Sequence, residues 1–322
     1  MLTYLVRRLA LAAVTTAAVV SLTFALVHLA PGAPFLAGAE GRFVPPEIVE
    51  RQRRSFGLDQ PLGTQFVRYV ANLARGDLGE SFVRRRPVAE VLGGALPNTL
   101  LLGGAALVLS LVFGVGLGIV QATRAGTWAD TTLGALSLAL YSVPSFWLAL
   151  MLLLVFGEWL RWLPLTGMSA AVGVPATWAG RALDVLRHLI LPALTLALVN
   201  GAAITRFHRA AMIEALGADF IRAARGRGLH EGRVVLRHAL RSALAPAITL
   251  AGLSVPALLT GSVLVENVFG WPGMGRVAYE AIFARDYNVI TAVAVVAGVL
   301  VALGNLLADV GVAWADPRVR RQ

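Results

Sequence analysis

The sequence predicts an all-α membrane protein with about six transmembrane helices, and three observations carry that prediction. Hydrophobic residues fill 57% of the 322 positions and charged ones 14%, with a mean hydropathy of +0.72; a soluble domain has about 25% charged residues. Six stretches approach or exceed the roughly 20 apolar residues that a bilayer core of about 30 Å requires. The segments between them divide the arginines unevenly against acids, as cytoplasmic and outer loops of membrane proteins do.

The first stretch, 9–30, follows Arg7 and Arg8. Its apolar run is longer than the roughly 7–15 residues of a secretory signal, so it reads as an uncleaved anchor. A long mixed-charge segment, 31–97, comes next. Within it Pro45 and Pro46 precede EIVERQRRSFGL, a short helix with proline in its first turn. Phe66, Val67, Val70 and Leu73 of TQFVRYVANLARGDLG recur at helical spacing. Such a helix lies at the membrane surface, caps a path, or packs on the outer ends of the spans.

The other five stretches are 98–120, 131–157, 189–205, 242–265 and 288–308, and none of the six contains Asp, Glu, Arg or Lys. The fourth is the shortest and carries Pro192. Prolines 144, 246 and 256 also sit inside spans, where neighbouring helices must satisfy the backbone groups they free.

With Arg7 and Arg8 inside, six crossings return the C-terminus, with Arg318, Arg320 and Arg321, to the same cytoplasmic side. Segments assigned to that side then hold 14 arginines against five acids, and the outer ones 14 against 11. Orientation therefore accounts for the basic pI near 11.3 without nucleic acid. Asp309, at the inner end of the sixth span, is expected to pair with a cytoplasmic arginine.

Several chemistries are excluded. The chain has no cysteine, hence no disulfide, thiolate metal site or cysteine nucleophile. All 28 basic residues are arginine, so no Walker A lysine can reach a nucleotide phosphate. The five histidines lack metal-ligand spacing, and no Ser/His/Asp arrangement suggests an enzyme. An ion-coupled secondary transporter calls for buried mid-membrane acids and internal repeats, and the spans show neither.

The segment 206–241, RFHRAAMIEALGADFIRAARGRGLHEGRVVLRHALR, carries the chemistry. A helix is expected from Asp219, as N-cap, to Arg227, with Gly228 as the left-handed residue that ends it. Arg225 and Arg227 suit its C-terminal dipole. Phe220, Ile221 and Ala224 share a face, and eight residues are too few for a helix stable alone in water. That face must be buried on the chain's own bundle or in a partner's groove, and docking with Phe220 and Ile221 facing a partner is the expectation. Full burial would contribute on the order of 1.5–3 kcal/mol for each of those two side chains.

This run resembles the cytoplasmic coupling loop of ABC importer permeases, whose signature is E-A-A, three residues, then Gly. Arg222, Ala223, Ala224 and Gly228 match it, with arginine in place of the glutamate. The later I-x-L-P part falls on His238, Leu240 and Arg241, which do not match. GLDQPLGTQF, GDLGESF, LPNTL, FIRAARGRGL, HALRSALAP, VENVFGWPGMGR, RDYNVI and DPRVR follow in order. Together they resemble the dipeptide/oligopeptide/nickel permease family across nearly the whole chain, and the long first loop resembles the first of the two permeases in such systems.

The resemblance implies a type I importer transmembrane domain, not an enzyme. It would pair with a homologous second permease, two cytoplasmic ATPases and an extracytoplasmic solute-binding protein in a bacterial inner membrane. This chain would bind no cofactor, since ATP and Mg would be used by the ATPases, and it would hold no metal. Its cargo would be di- or oligopeptides, with nickel or a metal chelate as the alternative. Asp219, Phe220, Ile221, Arg222, Ala223, Ala224 and Gly228 would couple to the ATPases. Glu266, Pro272 and Gly273 are candidates for an outer gate or substrate path, with Trp271 as an interface anchor; a carboxylate held by backbone or Arg276 is the structural alternative for Glu266. The expected division is 1–95 as first helix plus outer loop, 96–313 as transmembrane domain, and 314–322 as cytoplasmic tail.

Overall fold

The computed structural model describes residues 2–29, 46–55, 57–170, 172–173 and 177–315. The arginines of the tail, the DPRVR motif, Pro45 and the side chain of Asp309 lie outside the described residues. Twelve helices are named here: α1 (Leu2–Leu29), α2 (Pro46–Ser55), α3 (Leu62–Ala74), α4 (Val88–Thr123), α5 (Trp128–Ser142), α6 (Ser145–Leu152), α7 (Trp178–Gly217), α8 (Asp219–Gly226), α9 (Glu231–Arg233), α10 (Leu240–Val268), α11 (Met274–Ala284) and α12 (Tyr287–Ala315). Wider π-helical turns extend α6 over Leu153–Trp159 and lead into α10 over Val234–Ala239. Among the described residues there is no strand, only an isolated bridge between Glu80 and Pro87.

Three helices, α4, α7 and the described part of α12, are long and apolar enough to cross a membrane, and two bent pairs add two further spans if each counts as one. The apolar part of α1, Ala13–Leu29, is shorter. With 36 and 40 residues, α4 and α7 are about 54 and 60 Å long at 1.5 Å per residue, roughly twice a bilayer core. The short fourth stretch is thus the middle of a helix that continues through Arg206 and Arg209 to Gly217, with Pro192 buried inside it.

The third stretch departs from expectation. It is a helix, a break and a second helix meeting at 106°. Val143 is extended (φ −79°, ψ 131°) because a proline follows it, and Pro144 has no N–H to continue the ladder.

The chain divides into two compact units: 1–99 with 272–302, and 100–271 with 303–322. In the first, Val88, Val91, Leu92 and Ala95 of α4 pack with Met274, Val277 and Ala281 of α11 and with Val289 and Ala292 of α12. The i, i+3, i+4, i+7 spacing of the α4 residues makes that stripe. In the second, α7 packs against α5, α6, α8 and α10. Two apolar clusters fill this unit. One is centred on Leu102, Leu191, Leu196 and Trp271, and the other on Met212, Ile221, Val234 and Ala239. Exposed leucines and valines along α1 and α4, such as Leu22, Leu26, Val108 and Val112, suit a lipid surround.

Candidate coupling site

The α7–α8 junction is set by backbone geometry. Ala218 is extended (φ −72°, ψ 153°) and its carbonyl accepts the N–H groups of Ile221 and Arg222, so Ala218 is the N-cap. The expected N-cap, Asp219, instead opens the first turn. Its side chain pairs with Arg222, while its charge still suits the helix N-terminus.

Gly228 ends α8 as expected, at φ +75°. The N–H of Gly228 donates to Arg225 O at 2.9 Å and that of Leu229 to Ala224 O at 3.4 Å, a Schellman closure. A Cβ at Gly228 would meet nothing within 4 Å. Glycine is required there by backbone conformation rather than by crowding.

The expected docking face divides in two. Ile221 is fully buried and Ala224 nearly so, against Met212 and Ala215 of α7, Val234, Val235 and Ala239, Ala243 of α10 and Ala122 of α4. Ile221 therefore does not face a partner: the chain's own bundle occupies that side. Phe220 is 47% exposed, and with Ala223 and Arg227 it forms an exposed i, i+3, i+7 row. The other arginine of the last turn folds back, as Arg225 Nη2 and Nε donate to the Glu231 carboxylate at 2.6 and 3.1 Å and tie α8 to α9. That guanidinium holds the Glu231 carboxyl below its ordinary value.

Sequence reasoning did not find a second ion pair on this unit. Arg209 Nε and Nη2 donate side-on to Asp130 at 2.7 Å each, and Gly126 N–H donates to the same carboxylate. The pair ties α5 to α7. Counting charges to orient the chain gave no signal that residues 79 positions apart would meet.

Glu266 is fully buried in the last turn of α10. Its carbonyl accepts the N–H of Trp271 at 2.8 Å, closing the helix over Gly270 (φ +61°). Trp271 is fully buried against Leu102, Leu191 and Leu196. It is a core residue and not the expected interface anchor. Among the described residues the tryptophans open to the surroundings are Trp128, Trp147, Trp159, Trp162 and Trp178.

In the other unit, Pro272 O accepts from Asn98 Nδ2 at 2.9 Å. Gly273 is the N-cap of α11 but has no side chain to cap with, and Thr99 Oγ1 accepts the Met274 N–H at 2.7 Å instead. The LPNTL and WPGMGR motifs thus meet. GDLGESF and RDYNVI meet likewise: Asp286 accepts from Ser81 Oγ and from the Phe82 and Val83 N–H groups, and Asn288 Nδ2 donates to Glu80 O at 2.8 Å. Among the described residues no cluster of three His, Asp or Glu side chains could hold a metal ion.

The structure resembles the MetNI methionine ABC transporter in inward-facing crystal forms, with a TM-score of 0.57 and 19% identity, covering 70% of this chain and 96% of that one. Such a match shows the fold, a type I importer transmembrane domain. By sequence the chain is 39% identical to the di/tripeptide transport system permease protein DppB of Pseudomonas aeruginosa, with both chains fully covered. It is 36% identical to the oligopeptide transport system permease protein AppB of Bacillus subtilis and 38% identical to the glutathione transport system permease protein GsiC of Escherichia coli, each pair covered at 99%. Residues 114–321 match the binding-protein-dependent transport system inner membrane component family, and residues 1–103 match its N-terminal companion. The chain therefore belongs to the family of binding-protein-dependent transport system inner membrane components, as a transport subunit and not an enzyme.

Proposed function

We propose that this chain is the permease subunit of an ATP-driven importer that carries di- or oligopeptides. The observation that carries the reading is that relatives named for di/tripeptide, oligopeptide and glutathione transport align with it end to end. Their named cargoes are peptides of different length, so the shared chemistry is a short peptide rather than one molecule. A homologous second permease completes the path, two cytoplasmic ATPases supply the drive, and a solute-binding protein delivers cargo. ATP and Mg are bound on the ATPases. The lack of any lysine for a phosphate loop supports that division. Both termini are cytoplasmic, which the arginine asymmetry supports.

In this reading α8 is the lever. Its inner face is seated on α7 and the turns leading into α10 through Ile221 and Ala224, so a force on the Phe220, Ala223 and Arg227 row passes to those helices without loss in a flexible linker. The ATPases can shift the inward–outward equilibrium only by contacting that row differently in the two states. The test is co-purification and reconstitution. A tagged chain should recover an ATP-binding subunit, and vesicles holding the assembly should take up dialanine with ATP hydrolysis that vanadate inhibits. Recovery of no ATP-binding subunit, or uptake driven by an ion gradient without ATP, overturns the reading.

A further inference from the structure

The unit formed by 1–99 and 272–302 contains a partly open cavity of about 140 Å³ that neither the coupling row nor the family match accounts for. Its walls come from the end of α1, the turn before α3, α3 itself, the 77–82 turn and the start of α12. Arg68 and Asp77, of opposite charge, both line it, so its formal charge is balanced.

The hydrogen-bond inventory of the lining is not balanced. Gln65 Nε2 donates to Gln60 O at 2.8 Å and to Leu58 O at 3.4 Å, which fixes that amide's orientation and leaves Oε1 as an acceptor. Gln65 Oε1, Gln60 Oε1 and the Tyr69 hydroxyl are buried and have no hydrogen-bond partner among the described residues. His28 Nδ1 lies 2.9 Å from Phe24 O. A carbonyl only accepts, so Nδ1 carries the proton and the neutral ring offers a lone pair at Nε2. The lining thus presents two amide oxygens and an imidazole lone pair, and buried acceptors left unmet are costly.

Aromatic rings surround these acceptors. Phe24 stacks on His28 with centroids 3.9 Å apart, and the rings of Tyr69 and Tyr287 lie 5.9 Å from Phe24 and 5.1 Å from His28. Ring faces attract cations. A protonated primary amine brings three donors and no acceptor, the complement of this lining. A cavity of this size holds a molecule about as large as benzene.

We propose that this cavity binds a compact protonated primary amine, its ammonium hydrogens donated to Gln60 Oε1, Gln65 Oε1 and His28 Nε2 and its carbon stem packed on Phe24 and Tyr287. The ammonium is that of a free amine or of the amino terminus of a peptide, which share this chemistry, and the inference does not rest on the transport reading. The test uses the full chain in lipid nanodiscs and saturation-transfer NMR with propylamine, against 1-propanol as a neutral compound of the same length. Propylamine is expected to bind at least tenfold more tightly than 1-propanol. Gln60→Leu with Gln65→Leu should weaken propylamine at least tenfold, and Gln65→Glu should tighten it severalfold. The second variant keeps the test sound if the first does not fold. Displacement of propylamine by dialanine but not by N-acetyl-dialanine supports the site with a peptide amino terminus as its ligand, and displacement by neither supports it with a free amine. Equal binding of propylamine and 1-propanol, or propylamine binding that neither variant changes, overturns the proposal and leaves a cavity that holds only water.

Discussion

The short helix α8 and the turn 79–88 both have charged side chains beside them, but only at the turn does such a charge hold the segment in place. Around α8 the ion pairs Asp219–Arg222 and Arg225–Glu231 stand in the open, and the helix is anchored by its apolar side chains Ile221 and Ala224. Around the turn, the carboxylate of Asp286 is buried at 2% exposure and accepts three hydrogen bonds that no exposed partner could replace. Exposed pairs contribute about 0–1 kcal/mol, whereas donors that lose a buried charged acceptor cost about 1–3 kcal/mol each. Net charge says little about what holds a segment, and burial decides it.

The largest effect is expected at Asp286. Replacement by Ala should lower stability by about 3 kcal/mol or more, because Ser81 and two backbone N–H groups lose their acceptor, and Asp286→Asn, which keeps an acceptor oxygen, should cost less. Thermal unfolding of the full chain in detergent measures both, and equal effects would break the contrast drawn above. Next comes Ile221→Ala, expected to cost about 2–4 kcal/mol as a core truncation. Phe220→Asp should change stability by about 0.5 kcal/mol or less, as surface positions do, while ATP hydrolysis ceases to drive uptake. Matching losses of stability in the two variants would mean that the faces of α8 have been assigned wrongly.

Gly228→Val should cost about 1–2 kcal/mol from the left-handed backbone alone, since nothing lies within 4 Å of the added Cβ. Gly228→Asn should cost less, because Asn tolerates that conformation. The same unfolding measurement ranks them, and a harmless valine would show that the closure does not hold α8. The smallest effect concerns pH. Glu231 is held below its ordinary value by Arg225, so its support for the α8–α9 junction is present above that ordinary value and is lost as pH falls through the depressed one. Hydrogen exchange of the α8 and α9 amides should quicken over that acid range in the native chain and stay level in Glu231→Gln.

Much of the candidate coupling segment's local structure was legible in the sequence. The α8 boundaries, the left-handed Gly228 and the cationic last turn follow from local rules that need only neighbours along the chain. The burial of Ile221 beside an exposed Phe220 was not legible. Both are large and apolar, and the surfaces that cover Ile221 come from Ala122, Met212 and Val234, far away or across a turn. Trp271 was misread for the same reason: an aromatic beside a Pro-Gly turn suits a membrane interface until a core from α4 and α7 closes over it.

The sequence by itself determined the membrane class, the apolar stretches, the absence of a nucleotide-binding lysine and the family, because composition, hydropathy and ordered motifs are properties of the chain as a string. Tertiary structure alone decided which motif meets which, LPNTL with WPGMGR and GDLGESF with RDYNVI, and that the third stretch breaks by 106° at Pro144. It also decided that Gln60, Gln65 and Tyr69 share a cavity. Hydrogen bonds and burial depend on groups brought from distant positions, and no local pattern records where those groups arrive.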